Sequence, residues 1–433
     1  VLYDDDKYLT DNPAVIEGLT PDSMVWALSA FHEGTYQPVT WLSYLTDISL
    51  FGLTPGPMHV VNVILHLLAS LLLWRFLTRA TGRGDAAFVV AMLFALHPLQ
   101  VQSVAWIAER KGLLAAVFGL LALNCWMGDG RRSRLLAHLF FVISILAKPV
   151  WLPLPFLLLL LDRWPGQRAS TVRDKFGMFA IAAAGVVLAG AAQNSAAALS
   201  TLDEVGLGAR LANAMLAWGA TLRRLVAPFD LGAFYPFRFD HATWLVVVWA
   251  GIIVAGSVVA WRLRHRHPVW FTGWYWWLIL LAPTVGLLQF GAQGTADRFS
   301  YLPVIGRFSM LVYGLDFVRG RTARVVALVA IVGAGAVSAK AVQPWRNTVD
   351  LLEHSIARSG GSALEHQNLC KAYIDRNEVM LAMRHSSRAL HFAPHTPSVV
   401  FQQADLLFAL GNYSDAMERY REGLRLSPGW HQA

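Results

Sequence analysis

Ten apolar runs between residues 59 and 342 constrain this chain more than any other feature. They lie at 59–79, 86–99, 113–128, 135–147, 150–161, 176–193, 243–261, 268–289, 301–318 and 323–342. A bilayer core about 30 Å thick takes roughly 20 apolar residues per crossing helix, with shorter ones tolerated inside bundles. Ten such runs cannot share one soluble core, because too few polar residues remain to cover it. The 433 residues are 55% hydrophobic and 15% charged, against about 25% charged in an ordinary soluble domain, and mean hydropathy is +0.44. The same composition excludes a disordered chain. The expected fold is all-α, a polytopic membrane helix bundle over 1–342.

Basic residues follow every second run. Arg75, Arg79 and Arg83 end the first, Arg131, Arg132 and Arg134 the third, and Arg163, Arg168, Arg173 and Lys175 the fifth. Arg262, Arg264 and Arg266, then Arg319, Arg321 and Arg324, continue the series. Cytoplasmic loops carry the excess of Lys and Arg, so all sixteen belong on one side, provided that 211–227 is amphipathic or re-entrant and does not cross. The outer face then receives a first loop, 1–56, with eight acids against Lys7 alone, and the stretches 98–112, 194–242, 290–300 and everything after 343. The net charge of +8 records this sidedness and implies no nucleic-acid partner. Membrane lipids are the expected surroundings. Cys125 and Cys370 lie too far apart in sequence and character to suggest a disulfide or thiolate metal framework. The chain begins at Val1, and a span upstream of it and further repeats beyond Ala433 are expected.

After residue 343 hydropathy drops and a period of 34 appears: Ala382, Ala389 and Pro394 recur as Ala416, Gly423 and Pro428. That is the tetratricopeptide period, in which small residues let paired helices approach closely. The expected second domain, 343–433, is a tetratricopeptide α-solenoid with a partial unit at 345–360 and repeats at 363–396 and 397–430. Nine acids balance nine bases there.

The informative polar groups are those the topology places on or near the outer face. Asp4, Asp5 and Asp6 crowd three carboxylates together. Mutual repulsion raises such a group's pKa and suits a general base or a cation site, although an acidic stretch is also an ordinary solvated loop. His59, Asn62 and His66 share one face of the first run. Buried polar groups there either act in function or glue helices together. His97 precedes Pro98 at the end of the next run and is either a catalytic imidazole or part of a helix terminus. Arg110, Lys111, Lys148 and Arg298 are cations on the side where the charge rule does not place them. Together they suit a phosphate or pyrophosphate. Singly, the lysines also fit snorkelling to headgroups, and Arg298 fits an ion pair with Asp297. Glu109, Asp297 and Tyr301 complete the candidates.

The segments YDDDKYLTDNPAVIEGLT, WLSYLTDISLFGL, HVVNVILH, LFALHPLQVQSVAWIAERKG, AKPVWLPLPFLLLLLDRWP and QFGAQGTADRFSYLP, followed by the repeats, resemble the transmembrane and tetratricopeptide-repeat-containing O-mannosyltransferase family and its bacterial relatives. The resemblance implies a GT-C glycosyltransferase fold, a polyprenyl-phosphate-linked sugar donor, work on the outer or periplasmic face of a bacterial inner membrane, and an aspartate pair matching Asp4 and Asp5 as catalytic. It further implies that Arg110, Lys111, Lys148 and Arg298 bind the donor phosphate, and that the repeats hold an acceptor protein, modified on Ser or Thr. No cofactor is fixed by the sequence, and a divalent cation, Mg or Mn, stays open.

Four positions depart from the relatives. Gln102 and Gly112 stand where they tend to have Glu and Asp, and Gln37 and Met58 where they often have His. The first two remove acids from any metal site there. The departures fit an altered sugar or acceptor, or reduced activity. They keep open an alternative, a non-catalytic membrane scaffold that assembles an envelope complex through its repeats. A transporter is a third reading, without the paired broken helices expected of one.

Overall fold

The computed structural model describes residues 5–166, 171–195, 205–287, 289, 291–316 and 320–429. The chain divides into two compact units.

The larger unit comprises Asp4–Phe229 and Phe237–Val342. Its opening segment is helical where the sequence suggested a loop. Thr20 and Ser23 form a capping box ahead of α1 (Pro21–Ser29), which occupies otherwise unpaired amides of the first turn. Pro38 opens α2 (Pro38–Phe51), as Pro55 opens α3 (Pro55–Thr81). A proline at the first helical position loses no hydrogen bond and arrives with helical φ already set.

Every apolar run becomes a helix. After α3 come α4 (Gly84–Leu96), α5 (Arg110–Trp126), α6 (Arg131–Ala147), α7 (Leu154–Leu161), α8 (Phe176–Ser195), α9 (Leu207–Val226), α10 (Thr243–Leu263), α11 (Pro268–Leu281), α12 (Val304–Gly314) and α13 (Gly320–Ala341). The ten runs differ in helix length. Four helices among the described residues are long and apolar enough to cross a membrane: α3, α8 with its preceding turn, α10 and α13. A fifth arises if α4 and Pro98–Ala105, bent by 55°, form one broken span. The rest are short. The 17 residues of α5 or α6 reach about 25 Å, and α7 has only eight residues. The shortening has a local cause, since Pro98, Pro149, Pro283 and Pro303 fall inside or beside the apolar runs and each breaks the helical ladder. Helix α9, carrying Arg223 and Arg224, is not among the spanning helices.

Helices α10 and α13 leave Val247, Val254, Leu328 and Val329 exposed. Apolar faces of this length are stable against lipid and not against water. The chain is an integral membrane protein. Inside the unit, small residues allow close crossings. A Cβ on Gly119 of α5 would overlap the Trp151 ring, and Gly273 of α11 meets Gly306 of α12 backbone to backbone.

The second unit contains Gln343–Ala433 and the short piece Asp230–Pro236. Its helices are α14 (Thr348–Ser359), α15 (Ala363–Asp375), α16 (Val379–Phe392), α17 (Pro397–Ala409) and α18 (Tyr413–Leu426). Both boundaries of α17 lie 34 residues after those of α15, and those of α18 likewise follow α16. The helix pairs thus repeat with the sequence period, in the manner of tetratricopeptide units. Ala382, Ala389 and Ala416 are fully buried, and Gly423 leaves room for the Phe401 ring. The 230–236 piece joins through Phe234, whose amide donates to Ser355 Oγ at 3.3 Å, and through Leu231, whose carbonyl faces His354 Nε2 at 3.1 Å. No sequence pattern marked it.

Candidate active site at the helix breaks of the membrane unit

Each of three outer motifs folds as a break between helices. The turns Pro98–Gln100, Ile107–Glu109, Pro149–Trp151 and Asp297–Ser300 are single 3₁₀ turns, so their side chains leave a backbone that is not a regular helix. Around them gathers the charge cluster.

Glu109 is its centre and is almost entirely buried. Lys148 Nζ donates to its Oε1 at 2.5 Å and Oε2 at 2.8 Å, and Arg298 Nε lies 3.5 Å from Oε1. Lys111 adds a third positive charge acting on the same carboxylate. Three cations act on this carboxylate, and with the buried Asp5 on the same loop counted the local formal excess is one positive charge. Burial alone would raise the Glu109 pKa, but Lys148, Lys111 and Arg298 outweigh it and hold the carboxyl below its ordinary value. Burial, helped by Lys111 and Arg298, pushes the Lys148 ammonium down to about 8 against the attraction of Glu109.

Further contacts fix the cations in place. Lys111 Nζ donates to Tyr8 Oη at 2.8 Å and sits 4.2 Å from that ring's centre. Arg298 donates from Nη2 to Gln293 Oε1 at 2.6 Å, lies over Trp106 and Phe299, and its backbone N–H donates to Gln102 Oε1 at 2.8 Å. Gln102 therefore accepts from the Arg298 backbone where the relatives' acid was expected. A side chain at Gly112 would start 3.5 Å from Glu109 Oε2 and 3.9 Å from Lys148 Nζ, so both departures adjoin the cluster.

Asp5 reaches the same loop. It is fully buried, and its Oδ1 accepts the Ala108 backbone N–H at 2.9 Å, one residue before Glu109. Asp6 is half-buried, with Oδ1 accepting the Lys7 backbone N–H at 2.9 Å. Asp4 lies outside the described residues.

Arg110 stands apart from the other three cations. Its guanidinium, fully buried, pairs with Asp47 Oδ2 at 2.5 Å, donates to Asn62 Oδ1 at 3.0 Å, Ser43 Oγ at 3.3 Å and the Met58 carbonyl at 3.0 Å, and lies over Tyr44. It braces α2, α3 and α5. Asp47, Ser43, Tyr8, Gln293 and Gln102 are the partners the sequence did not single out for these roles. The only available signal was the acid count of the opening segment, which includes Asp47.

The polar face of α3 serves packing. Asn62 Nδ2 donates to the Trp106 carbonyl at 3.1 Å. His66 meets Tyr301 Oη through Nδ1 at 2.7 Å and the Ala95 carbonyl through Nε2 at 3.0 Å. His59 is half-buried on that helix. His97 accepts the Leu99 amide on Nδ1 at 3.3 Å, so Nε2 carries the proton toward the Leu225 carbonyl at 3.1 Å. Nδ1 thus caps the turn that follows, and Nε2 ties it to the end of α9. Asp297 pairs with Arg224 of α9 at 3.3 Å and not with its neighbour Arg298.

Among the described residues no group of three or more His, Cys, Asp or Glu is arranged to hold a metal ion. Glu109 is already neutralised by cations, Gln102 is uncharged and Gly112 has no side chain. Glu109, Gln102 and Gly112 therefore do not supply a ligand set for Mg or Mn.

Fold and site together define a polytopic helical membrane protein that combines a buried carboxylate and cation cluster with a helical repeat unit. Its curated homologues are protein O-mannosyl-transferases of the transmembrane and tetratricopeptide-repeat-containing family. It is 32% identical over 133 residues to protein O-mannosyl-transferase TMTC2 of Mus musculus, covering 29% of this chain and 16% of that protein. To TMTC1 of Mus musculus it is 36% identical over 134 residues, covering 28% and 14%, and to protein O-mannosyl-transferase F38B6.6 of Caenorhabditis elegans 29% identical over 133 residues, covering 28% and 19%. The match thus spans less than a fifth of those relatives' length. No family model and no solved structure matches the chain.

Proposed function

We propose that this chain is a GT-C-type membrane glycosyltransferase that moves a sugar, mannose by analogy with its homologues, from a polyprenyl phosphate to a Ser or Thr hydroxyl of an acceptor protein. The work is done on the outer face, which in a bacterial inner membrane is periplasmic. One observation supports this most. Residues 5, 108–111, 148 and 298, remote in sequence, meet so that a buried aspartate adjoins a cluster with surplus positive charge.

In this reading Asp5, or Asp4 beside it in sequence, takes the acceptor hydroxyl proton. The oxygen forms its bond to the anomeric carbon as the bond from that carbon to the phosphate oxygen breaks, through an oxocarbenium-like transition state, and configuration inverts. The electron pair leaves with the lipid phosphate. Lys111, Lys148 and Arg298 meet the developing charge, each contact contributing about 3 kcal/mol in a preorganised dry site. Arg110 acts as a positioning residue through Asp47 and Asn62. The isoprenoid tail lies among the helices and accounts for a membrane location, and the repeats bring the acceptor protein.

Asp4→Asn and Asp5→Asn, assayed separately for transfer from polyprenyl-phosphate mannose, test the base. Losing a general base costs about 10²- to 10⁴-fold. Full activity in both folded variants removes the assignment. Gln102 and Gly112 favour a second reading, a non-catalytic scaffold for an envelope complex, under which disrupting the repeats abolishes function while both Asp variants behave as wild type.

A further inference from the structure

The repeat unit contains a cavity of about 340 Å³ between α14, α15 and α16. Its charge is arranged unlike that of the outer loops. Arg384 and Arg388, one turn apart on α16, line it and are exposed. Among the described residues neither has an ion-pair or hydrogen-bond partner. His366 from α15 and His385 from α16 touch through their Nδ1 atoms at 2.9 Å. Phe392 stacks on His366 with ring centres 5.6 Å apart. The one lining carboxylate, Glu353 of α14, already accepts from Tyr373 Oη at 2.5 Å, and the Tyr373 ring stacks on His385.

Two open guanidinium groups beside an aromatic wall set the ligand chemistry. Guanidinium forks match carboxylates, the i,i+4 spacing offers two of them side by side, and the volume suits a few side chains and not a folded surface. We propose that this cavity binds an acidic segment of a protein partner, Arg384 and Arg388 taking carboxylate side chains and Phe392 an apolar neighbour. The site deepens the acceptor role assigned above to the repeats, but its test does not depend on sugar transfer.

The histidines make the binding respond to pH. Burial, together with His385 and Arg388, lowers His366 to about 4. Burial, Arg384 and Arg388 lower His385, partly countered by Glu353. A bound carboxylate counters the arginines and raises both. Binding then takes up protons, so affinity rises as pH falls below the ordinary histidine value of 6.5.

Full-length protein in lipid nanodiscs, titrated with a fluorescent peptide of alternating Glu and Leu, reads this directly. The expected result is affinity at least about tenfold above that for the Gln and Leu analogue, as charge-assisted pairing requires. Combined Arg384→Gln and Arg388→Gln is expected to erase that preference, and His385→Gln to flatten the rise in affinity between pH 7 and pH 5. Both arginines are exposed, so the variant keeps its packing. The Asp5→Asn protein is expected to bind the peptide as wild type does, which separates this proposal from the transferase reading. Equal affinity for the two peptides overturns it. So does full affinity in the double arginine variant, or occupancy of the cavity by inorganic phosphate that the acidic peptide fails to displace.

Discussion

Arg110 in the membrane unit and Arg384 and Arg388 in the repeat unit sit in opposite settings. In the membrane unit Glu109 and Arg110 are buried and held by several partners each, and Asp47 is buried against Arg110. In the repeat unit Arg384 and Arg388 stand open to solvent, and the ion pair Arg419–Glu422 is partly exposed. A buried ion that loses its partner keeps the full desolvation penalty, whereas a solvated one exchanges a partner for water. Identical substitutions should therefore mean different things in the two units.

The largest effect on folding is expected from Asp47→Asn, which leaves the Arg110 guanidinium buried without its counter-charge. A loss of about 3–5 kcal/mol is expected, read as a thermal unfolding shift in detergent. A shift no larger than that of a surface variant would break the contrast. Next comes Gly119→Val, whose branched side chain would enter the space of Trp151 and cost about 1–3 kcal/mol by overpacking.

Two pH profiles sharpen the comparison. In the membrane unit, donor binding should weaken as pH rises through about 8, where Lys148 loses its charge, and Lys148→Arg should carry it to higher pH. In the repeat unit the sign reverses. His366 is kept neutral in the folded state, near 4 against an ordinary 6.5, so the unfolded chain binds the proton first. Stability should fall as pH drops from 6.5 toward 4, by roughly 1–2 kcal/mol once solvent screening at the open side of the cavity is allowed for, and His366→Gln should remove most of the slope in pH-dependent denaturation. The smallest effect belongs to Arg419→Gln, about 0.5 kcal/mol or less, by the same measurement.

Much of this was legible in the sequence, for identifiable reasons. Apolar runs specify helices by local composition, and the 34-residue period specifies helix pairs because each small residue recurs where two helices must touch. Lys111, Lys148 and Arg298 were expected as cations on the side the charge rule does not favour, and Glu109 as a further candidate beside them. Their pairings were not. Lys148 finds Glu109 across 39 residues and Arg224 finds Asp297 across 73, distances at which packing and not spacing selects the partner. Arg110 looked equivalent to Lys111 because neighbours on a helix carry the same sidedness, yet they point to different surroundings. The shortness of several helices was not visible, because hydropathy sees apolar side chains and not the ladder that Pro98, Pro149 and Pro303 interrupt.

The central claim is that the cations around Glu109 receive a lipid phosphate beside Asp5. A structure of the protein with a polyprenyl phosphate bound tests it most directly. The account expects the phosphate oxygens within about 3 Å of nitrogens of Lys111, Lys148 or Arg298, with the tail leading into the helices. Phosphate density away from all three, with the Glu109 cluster unchanged, would contradict it.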